Sequence, residues 1–313
     1  MPTPSEALRS TERGVRHESP RSVFSNFRPG TDCGQPDQEM APVPELKTSP
    51  QSQSAIRHLQ SEIDQAFARS FIYRFLAQAF EYPTDAGWSW FGEPEVRTAF
   101  QSAVNALSKS GNGLRTQAAH LMTELRTDAF GSCLQDYIAV FGHAARGSCP
   151  LNEIEYGDLK ADPLFQPHRL ADLAAFYRAF GLEVAEEATE RPDHICVELE
   201  LMSVLSVKEA YALEHQLDDA ELLVCRDAQK SFLREHLGRW TPAFTRRLAQ
   251  AAGNGVLGSL AKFTEEFIGH ECHHFGIAFG SEDLMLRPVD EGDESVCTTC
   301  GIRNLPPGAM TAT

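Results

Sequence analysis

Apolar positions recur every three or four residues over most of the chain. Ile56, Leu59, Ile63, Phe67, Phe71, Phe75 and Ala79 make one stripe, and Tyr82–Pro83 ends it. Weaker helical segments follow near Glu95–Leu107 and Leu114–Thr127. Phe130–His143 carries Leu134, Tyr137, Ile138 and Phe141 on one side. After a loop from Gly147 to Pro167, Leu170, Leu173, Phe176, Tyr177 and Phe180 form another stripe, with Gly181 placed to stop it. Pro192 and Asp193 suit the start of the next helix, which runs to about Leu213 and is apolar on most faces. A helix of that kind is central and buried. Helices near Asp218–Leu237, Pro242–Ala252 and Val256–Phe275 complete the set. No sustained alternation of apolar and polar residues marks a strand. The expected fold is all-α: a single multi-helix domain over residues 55–280.

Both ends read differently. Eight of the 18 prolines fall in the first 50 residues, with Ser, Thr, Gln and Gly between them. Such a stretch buries too little apolar surface to offset its ordering entropy, so residues 1–54 are expected to be a disordered tail. A short docking motif around Val23–Phe27 is the alternative. Residues 281–313 are acidic and contain Cys297-Thr-Thr-Cys300, and they are expected to form a second flexible tail.

Charge narrows the function. The chain of 313 residues has a formal net charge of −16, of which −11 falls on residues 55–280. Such a surface repels phosphate backbones and anionic lipid, which argues against nucleic acid and favours a cationic partner. No apolar run is long enough for a membrane span, and the N-terminus lacks the apolar core of a secretory signal. The eight cysteines are scattered, as expected of reduced thiols in a cytoplasmic protein.

Two constellations carry chemistry. Cys149-Pro-Leu-Asn-Glu153-Ile-Glu-Tyr156-Gly157 lies in the longest interior loop and offers a carboxylate and a phenol three residues apart. The alternative is that Tyr156 packs on the core and Glu153 caps a turn. Arg191-Pro192-Asp193-His194 precedes Glu198, Glu200 and Met202 on the apolar helix. Acidic groups there need a partner: His194, an arginine, or a groove open to solvent. The alternative is a helix cap with a buried ion pair.

The order and spacing of these words, with Leu170-Ala-Asp-Leu-Ala-Ala-Phe176-Tyr177, Phe180-Gly181-Leu182 and Lys208-Glu209-Ala-Tyr211, resembles the TorD/DmsD/NarJ family. These are assembly chaperones for molybdenum oxidoreductases of the dimethyl-sulfoxide-reductase superfamily. The resemblance implies an all-helical fold and no catalysis. It also implies a partner, the catalytic subunit of such an oxidoreductase with its twin-arginine signal peptide, held until cofactor insertion. The client-binding residues it suggests are Tyr137, Phe141, Glu153, Tyr156, Asp193, His194 and Glu198. Carboxylates can receive an arginine pair, and aromatic side chains can receive an apolar segment. Asn152 stands where relatives often carry an aromatic. The resemblance leaves the chain as either a monomer or a domain-swapped dimer. It requires no cofactor.

One motif competes. His270-Glu271-Cys272-His273-His274 contains His-Glu-x-x-His, the pattern of a zinc-dependent hydrolase with Glu271 as general base. A milder metal reading is a structural zinc site on Cys272, His273, Cys297 and Cys300.

Overall fold

In a computed structural model the described residues are 22–24, 50–108, 113–142, 147–157, 165–185 and 190–287. Among them the fold is all-α. The helices are α1 (Pro50–Phe80), α2 (Asp85–Gly92), α3 (Pro94–Leu107), α4 (Gly113–Glu124), α5 (Phe130–Phe141), α6 (Phe165–Ala179), α7 (Ile195–Glu214), α8 (Asp219–Glu235), α9 (Leu237–Ala252) and α10 (Val256–His274). No described helix is long and apolar enough to cross a membrane.

The apolar helix α7 is the axis of the fold. Fifteen of its twenty residues are buried, so it needs neighbours all round. Its most extensive pairing is with α1, and α8 and α9 also cover it. Polar groups on its buried faces are satisfied locally. Ser203 meets Ser70 at 3.0 Å, Ser206 donates to Gln229 at 3.1 Å, and Glu209 is held by Arg69 and Arg226. A second lobe of the core joins α1, α3, α4 and α10, where Phe75 of α1, Phe100 of α3, and Phe263 and Phe267 of α10 form a chain of ring contacts with centroids 4.3 to 6.4 Å apart.

Helix ends follow local chemistry. Thr84 caps α2 by accepting from Gly87 N at 3.1 Å, and Asp218 caps α8 by accepting from Glu221 N at 2.9 Å. Gly181 ends α6 at φ +75°, as its position suggests. Helix α9 begins five residues before Pro242, the residue expected to open it. A proline inside a helix leaves the carbonyl four residues earlier without its donor. Here Gly280 N donates to that carbonyl, Gly238 O, at 3.0 Å. Gly238 is itself required, because a Cβ would lie 2.5 Å from Leu233 O and 2.8 Å from Cys272 Sγ.

Two segments outside 55–280 are attached to the domain. Residues 281–287 run beside the 150s loop: Tyr156 bridges Leu286, Gly157 N donates to Met285 O at 3.1 Å, and Arg287 N donates to Glu155 O at 2.9 Å. Ser22–Phe24 docks near the start of α7, as the alternative to a disordered tail anticipates. The rest of both expected tails, including Cys297 and Cys300, lies outside the described residues apart from the first turn of α1.

Candidate functional site

The loop 147–157 and the approach to α7 are tied together as a clamp. Asn152 pairs with His194 in an isolated antiparallel bridge. Glu153 N donates to Asp193 O at 2.8 Å, and Ile195 N to Leu151 O at 2.9 Å. The Asp193 side chain accepts from Ile154 N and Asn152 Nδ2, each at 3.2 Å. Arg191 closes on the same carboxylate from outside.

Glu153 is the hub of the clamp. It is fully buried and meets Arg169 Nη2 at 2.6 Å, His236 Nδ1 at 3.0 Å and Arg239 Nη2 at 3.2 Å. Burial alone would raise its pKa. The His236 hydrogen bond, with the charges of His236 and Arg169, instead brings it down to about 2. Tyr156 is buried too. Its hydroxyl donates to Pro150 O at 2.7 Å, and its ring lies 5.1 Å from Trp240. Glu198 Oε2 accepts from Trp240 Nε1 at 3.0 Å while Oε1 has no partner. Burial, then the nearby Glu153, pushes the Glu198 carboxyl well up from its ordinary value. His194 is the N-cap of α7: its Nδ1 accepts from Cys196 N at 3.3 Å. Burial lowers its pKa to about 4, which matches an accepting, neutral ring.

The seven sequence candidates therefore fall into two groups. Glu153, Tyr156, Asp193, His194 and Glu198 share the clamp. Tyr137 and Phe141 form a ring pair at 4.6 Å beside the end of α1, where Tyr137 donates to Phe80 O at 3.2 Å and the exposed Tyr82 meets it edge-on. Six of the seven are buried, and His194 is half-buried. The clamp's partners Arg169, His236 and Arg239 carried no sequence signal, because they lie 16, 83 and 86 residues from Glu153.

Between the two groups lies an occupied slot. Val23 N donates to Glu200 Oε2 at 2.7 Å, and Ser22 Oγ donates to Glu200 Oε1. Ala185 N donates to Val23 O at 2.8 Å, and Phe24 pairs with Val184 in an antiparallel bridge. The Phe24 ring is 2% exposed and meets Tyr177 edge-on at 5.5 Å. Burying such a ring contributes roughly 1.5–3 kcal/mol. Tyr177 is fixed from behind by its hydroxyl, which donates to Pro192 O at 2.5 Å.

In the His-Glu-x-x-His motif Glu271 is fully buried: one carboxylate oxygen accepts from Tyr73 OH at 3.1 Å, and the other lies 3.7 Å from His270 Nδ1. Cys272 is buried while its neighbour His273 is exposed, so the two do not share a face. Burial, then Glu271, pushes the Cys272 thiol up to about 12, against the thiolate a metal needs. Among the described residues no group of three His, Cys, Asp or Glu is placed to hold a metal ion.

A family model described as "Nitrate reductase delta subunit" matches residues 102–246, from α3 to α9, and so contains the whole clamp. Chaperone protein TorD of Vibrio cholerae serotype O1 (strain M66-2) is 26% identical over 212 residues, 66% of this chain and 90% of its own. The perchlorate reductase assembly chaperone protein of Dechloromonas aromatica (strain RCB) is 24% identical over 208 residues, 66% of this chain and 89% of its own. The selenate reductase assembly chaperone protein of Thauera selenatis is 32% identical over 112 residues, 34% of this chain and 56% of its own. These matches agree with the chain's resemblance to the TorD/DmsD/NarJ family. In this chain the motif words of the 150s loop and the α7 approach form the clamp. They act together because the clamp joins them through space.

Proposed function

We propose that the protein is a cytoplasmic, non-enzymatic chaperone for the catalytic subunit of a molybdenum oxidoreductase. It holds that subunit through its signal-bearing segment until the cofactor is inserted. The observation that carries this reading is the similarity, along most of the helical domain, to proteins named as assembly chaperones of perchlorate reductase and as TorD. The site chemistry supports it. Glu153 and Asp193 are consumed by internal partners, which suits a rigid docking frame better than acid–base chemistry. Tyr137, Phe141, Glu153, Tyr156, Asp193, His194 and Glu198 set the shape of the client surface, most of them from beneath it.

Affinity capture from cells that express a molybdenum oxidoreductase tests the reading. The expected result is recovery of its catalytic subunit and loss of that enzyme's activity in a deletion strain. No recovered subunit, together with normal activity in the deletion strain, refutes it.

A further inference from the structure

We propose that the slot between Tyr177, Val184 and Glu200 is the chaperone's peptide-binding site, and that the chain's own Ser22–Phe24 occupies it as an exchangeable plug. The occupant that displaces the plug is an extended client segment carrying arginine two residues before an aromatic. This rests on the chaperone reading above and names the site and the ligand register.

The plug is held as a bound peptide is held. Its backbone adds to an edge: Val23 C=O accepts from Ala185 N, and Phe24 bridges Val184. One ring is buried against Tyr177, with centroids 5.5 Å apart. Backbone pairing for affinity and a side-chain pocket for specificity is the usual mode of strand addition. The segment also reaches the site from far away in sequence. In the sequence, 25 residues (25–49) separate Phe24 from the start of α1.

The register follows from Glu200. Both carboxylate oxygens are used by the plug, one by the Ser22 hydroxyl and one by Val23 N. A serine hydroxyl is a weak partner for a carboxylate placed there. After burial, the charges of Glu81, Glu190 and Glu200 push up the Cys196 thiol. Arg74 is a cation acting on Glu200. Burial raises the Glu200 pKa, which a ligand cation would reverse. An arginine in place of Ser22 converts a neutral donor into a charge-assisted pair, roughly twice as strong. The next side chain but one then falls in the Phe24 pocket. Tyr82 meets Tyr137 edge-on and is 54% exposed, leaving an aromatic surface for the rest of a client segment.

The test uses the full chain and a labelled synthetic peptide of residues His17–Arg28, in its own sequence and with Ser22→Arg, read by fluorescence anisotropy. Phe24→Ala in the full chain is expected to bind the arginine peptide at least about tenfold tighter than wild type, because a tethered competitor acts at an effective concentration of mM order. Ser22→Arg in the full chain, which leaves the core untouched, is expected to weaken peptide binding by strengthening the plug. Glu200→Gln added to Phe24→Ala is expected to cost the arginine peptide more affinity than the serine peptide. Equal affinity for wild type and Phe24→Ala overturns the plug, and equal losses for the two peptides overturn the register. No oxidoreductase enters this assay. Failure to capture a client subunit with the peptide results intact therefore strikes the chaperone reading alone.

Discussion

Arg191 grips Asp193 through two parallel hydrogen bonds, Nε to Oδ1 at 2.9 Å and Nη2 to Oδ2 at 2.7 Å. The same carboxylate accepts from Ile154 N across the clamp. One side chain thus fixes the entry to α7 and the 150s loop together. Arg191 is 44% exposed, so solvent screens its share of the energy. The buried backbone donor depends on Asp193 more heavily. Asp193→Ala is expected to cost about 2–3 kcal/mol, the scale of a lost charged hydrogen bond with a stranded donor. Urea unfolding checks this, and Arg191→Ala should cost less than half as much.

Glu153 should be the more sensitive position. It pairs with Arg169, His236 and Arg239 at once. Removing the carboxylate leaves two arginines and His236 around an empty centre, and breaking a buried pair in this way costs about 3–5 kcal/mol. Glu153→Ala is therefore expected to unfold at a markedly lower temperature than Asp193→Ala in parallel calorimetry. A smaller loss would mean that these three side chains relax into solvent.

His194 and Glu81 give opposite pH signatures. The folded His194 pKa is about 4, below the usual 6.5. The unfolded chain therefore takes up the proton first, and stability is lost as pH falls from 6.5 toward 4. Glu81 runs the other way. Burial, then Glu200 and Glu190, raises it from 4.5 to about 7, so its contribution is lost as pH rises from 4.5 through 7. Asn can cap α7 in place of His194. The stability difference between wild type and His194→Asn is expected to grow in favour of wild type as pH rises from 4 to 6.5. The difference from Glu81→Gln is expected to shift against wild type from 4.5 to 7. Denaturant melts at half-unit pH intervals read both curves.

The plug should open without the domain unfolding. Phe24→Ala is expected to speed amide exchange at Ala185, whose partner is Val23 O, while amides in the middle of α7 keep their protection. Loss of protection along α7 as well would show that Phe24 belongs to the cooperative core.

The buried Glu271 is expected to be structural. Glu271→Gln keeps the bond from Tyr73, so it should leave both client capture and metal content of the purified protein unchanged. Elemental analysis of the two forms checks the second point. Zinc lost on this substitution would restore a metal role for the His270–His274 turn.

The long stripes could be read from the sequence because each spans several turns of one helix. Ile56–Ala79, Leu170–Phe180 and the apolar Ile195–Leu213 segment all lie in helices with ends within a few residues of those expected. The TorD-like fold followed from the same words. Helix α2 escaped because Asp85–Gly92 is eight residues, too short to show a period. Val23–Phe24 showed only as an alternative docking motif: two apolar residues among prolines have no period, and their meaning comes from Glu200, 177 residues from Val23. The polar words of the candidate site were visible, and so was the choice between ligand contact and internal cap. Only the third dimension supplies Arg169, His236 and Arg239, which turn Glu153 inward.

The Gly280 amide that fills the gap left by Pro242 has a practical consequence. A shortened chain designed from the helices alone would stop after His274. It would leave the Gly238 carbonyl bare inside α9 and strip Leu286 from Tyr156. The smallest version worth expressing therefore ends beyond Arg287, whose amide supplies the last bond to the 150s loop. A tag placed closer than that would compete with the protein's own seam.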